Sequence, residues 1–145
     1  MISTILVRSL MDTRYYYGIR ILAAETLANC AKDELDWIGL YHLERAFSEF
    51  FCLPNSPMTR SNDFRNRVSY LIQCAIPRAI SKIRDNAGRA PLRVKQFFVD
   101  KLKFNDNTNN EVRTSKSEIL SKHTYQISGL TAIMLQHLCT VLASV

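Results

Sequence analysis

The sequence predicts an all-α protein, a fragment of an α-solenoid in which antiparallel helices follow one another in a row. Three observations predict it. Apolar residues recur at helical spacing along most of the chain, and no run of strict alternation competes with them. Small residues, Ala above all, fall where neighbouring helices would touch. Short polar or Pro-containing breaks divide the periodic segments into lengths of about 12 to 20 residues, which favours a solenoid piece over a closed four-helix bundle.

The elements follow in order. Ile2 to Met11 is a short apolar start. Asp12 and Thr13 supply cap residues for a second helix, along which Tyr17, Ile21, Ala24, Ala28 and Ala31 share one face. Asp36 is expected to cap a third helix carrying the stripe Leu40, Leu43, Phe47 and Phe50, and Leu53-Pro54-Asn55-Ser56-Pro57 ends it in a loop. Asn62 or Asp63 opens a long segment in which Val68, Ile72, Ala75, Ala79 and Ile83 share a face, with a kink or helix restart expected at Pro77. Asp85-Asn86-Ala87-Gly88 ends that segment. Pro91 suits the first turn of the next helix, where Val94, Phe97, Phe98 and Leu102 form the cleanest amphipathic stripe in the chain. Residues 105–110 are a polar break, and the apolar run Ile133 to Val141 has helical composition.

At 145 residues and 47% hydrophobic, with 4 Gly and 4 Pro, the chain can bury one core, and collagen-like or wholly disordered classes are excluded. No apolar stretch reaches the length of a membrane span, and the start lacks the basic and apolar regions of a signal peptide, so a soluble, unsecreted protein is expected. The four Cys, at 30, 52, 74 and 139, form no CxxC pair and are expected to be small buried thiols. Three of them fall 22 residues apart, but the sequence around them does not repeat.

No motif assembles an active site. His42, His123 and His137 lack HExxH or triad-like neighbours, and no P-loop or dinucleotide fingerprint is present. A Cys/His pair of His42 and Cys52 would be about 15 Å apart along one helix, too far for nucleophile activation. Tyr15, Tyr16 and Tyr17 beside Arg14 and Arg20 mix rings and cations as a stacking platform would, but three adjacent residues point in three directions on a helix. No catalysis, cofactor or metal is expected.

Charge is uneven. Residues 1–59 carry −2, residues 60–103 carry +8 and residues 104–145 are neutral. Arg78, Lys82, Arg84, Arg89, Arg93, Lys95, Lys101 and Lys103 therefore form a candidate patch for an acidic partner or for DNA backbone, non-specific in kind because nothing marks a recognition helix. An independent nucleic-acid-binding module using this segment is the alternative to a scaffold.

The strings RYYYGIRILAAETLANCA (Arg14 to Ala31), LDWIGLYHLERAFSEFFCLPNSPMTRSNDF (Leu35 to Phe64) and YLIQCAIPRAISKIRDNAGRAPLRVKQFFVDKLKFNDNTNNE (Tyr70 to Glu111) closely resemble the second TBP-associated factor family of transcription factor TFIID. The resemblance covers about two thirds of the chain. It implies a HEAT or armadillo-like helical-repeat segment and non-catalytic scaffolding in the nucleus. The implied partners are other TFIID subunits and core-promoter DNA through backbone contacts, with no membrane and no small-molecule substrate. It also implies that the metal motif of that family's aminopeptidase-like region lies elsewhere.

The resemblance breaks after Glu111, dividing the chain into a helical-repeat fragment, 1–111, and a divergent, disordered or non-native tail, 112–145. A retained intron would explain the break. Val112-Arg113 can be encoded by GTACGT, the form of a splice donor, and Ser128 by AGT, which holds an acceptor AG. Removing the bases between shifts the frame, and the codons of Ser128 to Leu142 then permit the family's continuing helix. Residues 112–127 are accordingly expected to be loose, and a start within a solenoid would leave apolar faces uncovered and the isolated chain poorly soluble.

Overall fold

The computed structural model describes residues 2–104 and 130–143. Six α-helices make up the regular structure of those residues: α1 (Ile2–Met11), α2 (Tyr17–Asn29), α3 (Ile38–Phe51), α4 (Arg67–Ser81), α5 (Leu92–Lys103) and α6 (Leu130–Leu142), with a 3₁₀ turn at Asp33–Leu35. The expected loose segment 112–127 lies outside the described residues.

Contacts at the helix ends give the directions. Gly39 at the start of α3 lies against Leu27, Cys30 and Ala31 at the end of α2, while Arg20 near the start of α2 lies over the ring of Phe50 at the end of α3. These two helices are therefore antiparallel. Arg20 also shares a recess with Val68 and Ser69 at the start of α4, and Lys82 just past the end of α4 reaches Glu25 in the second half of α2. So α4 runs parallel to α2. Along α5, Arg93 meets Glu44, Phe97 meets Phe47, and Lys101 meets Cys52 just beyond α3. So α5 runs parallel to α3.

The chain thus folds as two helical hairpins, α2–α3 and α4–α5, stacked in the same orientation, first helix on first helix and second on second. This is the repeat geometry of a solenoid. The flanking helices continue it. α1 packs on α2 and α3, where the second helix of a preceding pair would lie, and α6 packs on α4 and α5, where the first helix of a following pair would lie.

One continuous core runs through the stack. Leu10, Ala24, Leu27, Leu40, Leu43, Phe47, Ile72, Ile76, Ile80, Val94, Phe98 and Met134 are all fully buried. The Ala run of α2 has its expected use: Ala23, Ala24, Ala28 and Ala31 are buried and let neighbours approach closely.

Four local expectations are corrected. Pro77 lies inside one continuous α4, so the helix does not restart there; the proline leaves the Gln73 carbonyl without its helical donor, but burial of Ile76, Pro77, Ala79 and Ile80 on the same helix holds the segment together. Val68 is exposed, and Ile76 and Ile80 take its place on the core face. The helices also start later than their predicted caps. Asp12 accepts the Arg14 amide and Asp63 the Arg65 amide, so both make local turns ahead of α2 and α4, and Asn66 caps α4 by accepting from the Ser69 amide. Asp36 and Trp37, both with positive φ, form the bend between the 3₁₀ turn and α3 without a side-chain cap. Finally, among the cysteines only Cys52 is fully buried; Cys30 and Cys74 are partly so and Cys139 is exposed.

Candidate interaction surface

The eight cations of the predicted patch do not converge. Arg78 and Lys82 lie on the first-helix side, at the end of α4. Arg84 and Arg89 lie in the α4–α5 connection, and Arg93, Lys95, Lys101 and Lys103 on α5.

Most of them have internal partners. Arg93 makes a two-pronged pair with Glu44, its Nη2 donating at 2.6 Å and its Nε at 3.1 Å, which ties α5 to α3. Lys82 meets Glu25 at 3.7 Å and ties α4 to α2. Arg89 pairs with Asp85 at 3.8 Å within its turn. Arg84 donates to the Ser81 carbonyl at 2.6 Å, a group that the end of α4 leaves open, and to the Ile83 carbonyl just beyond it at 2.8 Å. Such pairs are half-exposed and contribute at most about 1 kcal/mol each, but they fix which helix meets which.

Lys101 is not on the surface at all. It is 7% exposed, with Nζ donating to Cys52 Sγ at 3.3 Å and to the Pro57 carbonyl at 3.5 Å, and lying 5.5 and 5.8 Å from the ring centres of Phe47 and Phe97. Aromatic faces and soft or carbonyl acceptors stand in for a carboxylate. Arg78, Lys95 and Lys103 have no acidic or carbonyl partner among the described residues, and Lys103 lies over the Phe104 ring at 5.2 Å. Of the three adjacent tyrosines, Tyr15 and Tyr16 are exposed while Tyr17 packs against the core; the Tyr16 and Tyr17 ring centres lie 4.4 Å apart but the rings are tilted by 50°, so the three form no common flat platform.

His137 of α6 sits beside Arg78 and Lys82 and shares a 3.3 Å hydrogen bond with the Ser81 hydroxyl. Burial, then the charges of Arg78 and Lys82, hold its imidazole below the ordinary 6.5. Burial and then Arg45 do the same to His42, whose Nδ1 is buried without a partner. Both groups bind fewer protons folded than unfolded, so their contribution to stability is present above pH 6.5 and lost as pH falls through the folded values. Thermal melts are expected to move to lower temperature between pH 7.5 and 5.5, by less in a His42→Gln, His137→Gln variant; an equal shift in both proteins would exclude these histidines.

Burial, despite Tyr70 and Arg78, pushes the Cys74 thiol up, away from the thiolate a nucleophile needs. His42 does not meet Cys52, whose neighbour is Lys101. Among the described residues no three His, Cys, Asp or Glu side chains could hold a metal ion, and no helix is long and apolar enough to cross a membrane.

A different feature is the set of apolar side chains that α1 and α2 leave exposed. Ile2 and Ile5 on α1 are 70% and 63% exposed, and Ile19 and Leu22 on α2 are 49% and 61% exposed. The sequence predicts uncovered apolar faces in general but does not single out these residues, because periodicity alone does not tell which apolar positions find a neighbour.

A family model described as "TAF2-like, TPR repeats" matches residues 3–134. The chain is 50% identical over 110 residues to transcription initiation factor TFIID subunit 2 of Schizosaccharomyces pombe, covering 76% of this chain and 9% of that protein. It is 39% identical over 109 residues to the Saccharomyces cerevisiae protein of the same name, covering 75% and 8%, and 33% identical over 98 residues to that of Gallus gallus, covering 66% and 8%. The chain therefore spans less than a tenth of the length of these relatives. No solved structure matches. The family description names the repeat TPR where HEAT or armadillo was expected; all three are rows of stacked antiparallel helices.

Proposed function

The chain belongs to the TAF2-like, TPR-repeat family, and on that premise we propose that it is a segment of a non-catalytic nuclear scaffold in TFIID, supporting pre-initiation complex assembly at core promoters. Its work is to bury protein surface, either that of neighbouring repeats or that of other TFIID subunits. The observation that carries this reading is the exposure of the apolar side chains Ile2, Ile5, Ile19 and Leu22 on α1 and α2. The charge pattern supports it, because Glu25, Glu44 and Asp85 already engage three of the eight patch cations. Contact with promoter DNA enters the proposal only through the backbone and through Arg78, Lys95 and Lys103.

The test is a segment exchange in Schizosaccharomyces pombe, with residues 1–111 replacing the corresponding part of its TFIID subunit 2. The chimaera is expected to co-purify with TFIID in normal proportion, and Ile5→Glu with Leu22→Glu to lower that proportion several-fold. A stable chimaera left out of TFIID, or one indifferent to both substitutions, would contradict the proposal. The division at Glu111 belongs to the same proposal, and sequencing the transcript across Glu111 to Leu130 tests it. Excision of the bases for 112–127 together with the first two bases of the Ser128 codon is expected, and their retention would make the tail a genuine product.

A further inference from the structure

A recess of about 260 Å³ lies where the α1–α2 loop, the end of α3 and the first turn of α4 meet, lined by Thr13, Arg20, Phe50, Asn66, Val68 and Ser69 among others. Arg20 is its buried cation, 5% exposed. The Arg20 Nε donates to the Leu10 carbonyl at 2.9 Å, and the guanidinium lies 5.4 Å from the centre of the Phe50 ring. Its two terminal nitrogens have no acceptor among the described residues. The carboxylate whose charge acts on it, that of Asp12, has both oxygens engaged by Arg14. A buried guanidinium with unused N–H groups in a recess is a site waiting for an acceptor.

The start of α4 supplies a second, independent set of donors. The Asn66 side chain takes the Ser69 amide and the Asn66 carbonyl takes the Tyr70 amide. The amides of Arg67 and Val68 have no acceptor among the described residues, and they stand at the positive end of a 15-residue helix. The remaining walls, Phe50, Phe51, Val68 and Ile72, are apolar.

We propose that this recess binds a carboxylate carried on a short apolar stem, the side chain of a Glu in an acidic segment of a partner protein. The planar guanidinium matches the planar carboxylate, the helix start favours its charge, and the apolar walls match the methylenes behind it. A sugar-phosphate chain has no apolar stem to meet those walls. The inference rests on the scaffold reading only in taking the partner to be a protein.

Glutarate is the probe, titrated into the full chain while the Arg20 Nε–H and the Val68 amide are followed by NMR. Saturable shifts of both are expected, with glutaramide, its neutral counterpart, and inorganic phosphate binding about tenfold more weakly or worse. Arg20→Gln is expected to abolish the response. Because that change also removes the bond to Leu10, Val68→Trp, which fills the recess and leaves the bond, is expected to abolish it as well. No response to glutarate, equal binding of glutaramide, a preference for phosphate, or an undiminished response in Val68→Trp would overturn the assignment. Failure here leaves incorporation into TFIID unaffected, so the two proposals fail separately.

Discussion

Replacing Gly39 with Ala is expected to destabilise the fold by about 3 kcal/mol or more, near the upper end of what overpacking costs. A Cβ at Gly39 would stand 1.9 Å from the Leu27 carbonyl oxygen, 2.8 Å from the Ala31 nitrogen and 2.9 Å from the Cys30 carbonyl carbon. All three are backbone atoms, so no rotamer change relieves the clash; α3 must move away from the end of α2. That movement would unseat Ala28, Ala31 and Leu40, all buried at or near this contact. Gly18 is the control. A Cβ there would meet Tyr16 Cε1 at 2.8 Å, the far part of an exposed side chain that can swing aside. Gly18→Ala is therefore expected to change stability by only a few tenths of a kcal/mol, helped by the better helix propensity of Ala. Urea denaturation of the two variants measures the difference. Equal midpoints would show that α2 and α3 do not approach as described.

Phe47→Ala is the second large effect, with an expected cost of about 3 to 5 kcal/mol. Phe47 is fully buried on α3 and meets Phe51 at 5.4 Å and, edge to face, Phe97 of α5 at 5.5 Å. It is also one of the two rings that face the Lys101 ammonium. Truncation opens a cavity between the second helices of the two hairpins and removes half of the aromatic environment of a buried cation. Against the total stability of about 5 to 15 kcal/mol typical of a domain, such a loss is a large fraction of what holds the chain folded. Lys101→Met separates the two parts of the effect, since it keeps the packing volume and removes the charge. It is expected to cost far less than Phe47→Ala, because a buried cation replaced by an apolar chain of similar size relieves its own desolvation. Thermal melts of both variants test this ordering; Lys101→Met being the more damaging would show that the charge, not the ring, holds α5 to α3.

The two stripes that carry the stack were legible in the sequence. Leu40, Leu43 and Phe47 on α3, and Val94, Phe97 and Phe98 on α5, are buried as their spacing predicts, since that spacing alone puts them on one face. The helix starts were less legible. Asp12 and Asp63 have the chemistry of caps, but each turns to an Arg two residues on and forms a turn before its helix. Nothing in the sequence marks Arg20 and Lys101 as buried, because a charge normally stays in water. The groups that allow their burial, the Leu10 carbonyl and Phe50 for one, Cys52, Pro57 and two rings for the other, are distant in sequence. The internal partners of the basic segment are illegible for the same reason. The sequence displays the excess of Lys and Arg over residues 60–103, but Glu44 lies 49 positions from the Arg93 it neutralises. Only the stacking of one hairpin on the other brings them together.

Five of the eight patch cations, Lys82, Arg84, Arg89, Arg93 and Lys101, have partners within the fold, and on the proposed scaffold reading few are left for nucleic acid. The salt dependence of DNA binding decides between that reading and a nucleic-acid-binding module. With Arg78, Lys95 and Lys103 as the unpartnered cations of the patch, duplex DNA should bind weakly. The slope of log affinity against log salt should be no steeper than about −3, the value for three phosphate contacts. Tight binding at low salt with a slope near −7, as all eight patch residues acting together would give, would contradict the account and make the chain a nucleic-acid-binding module.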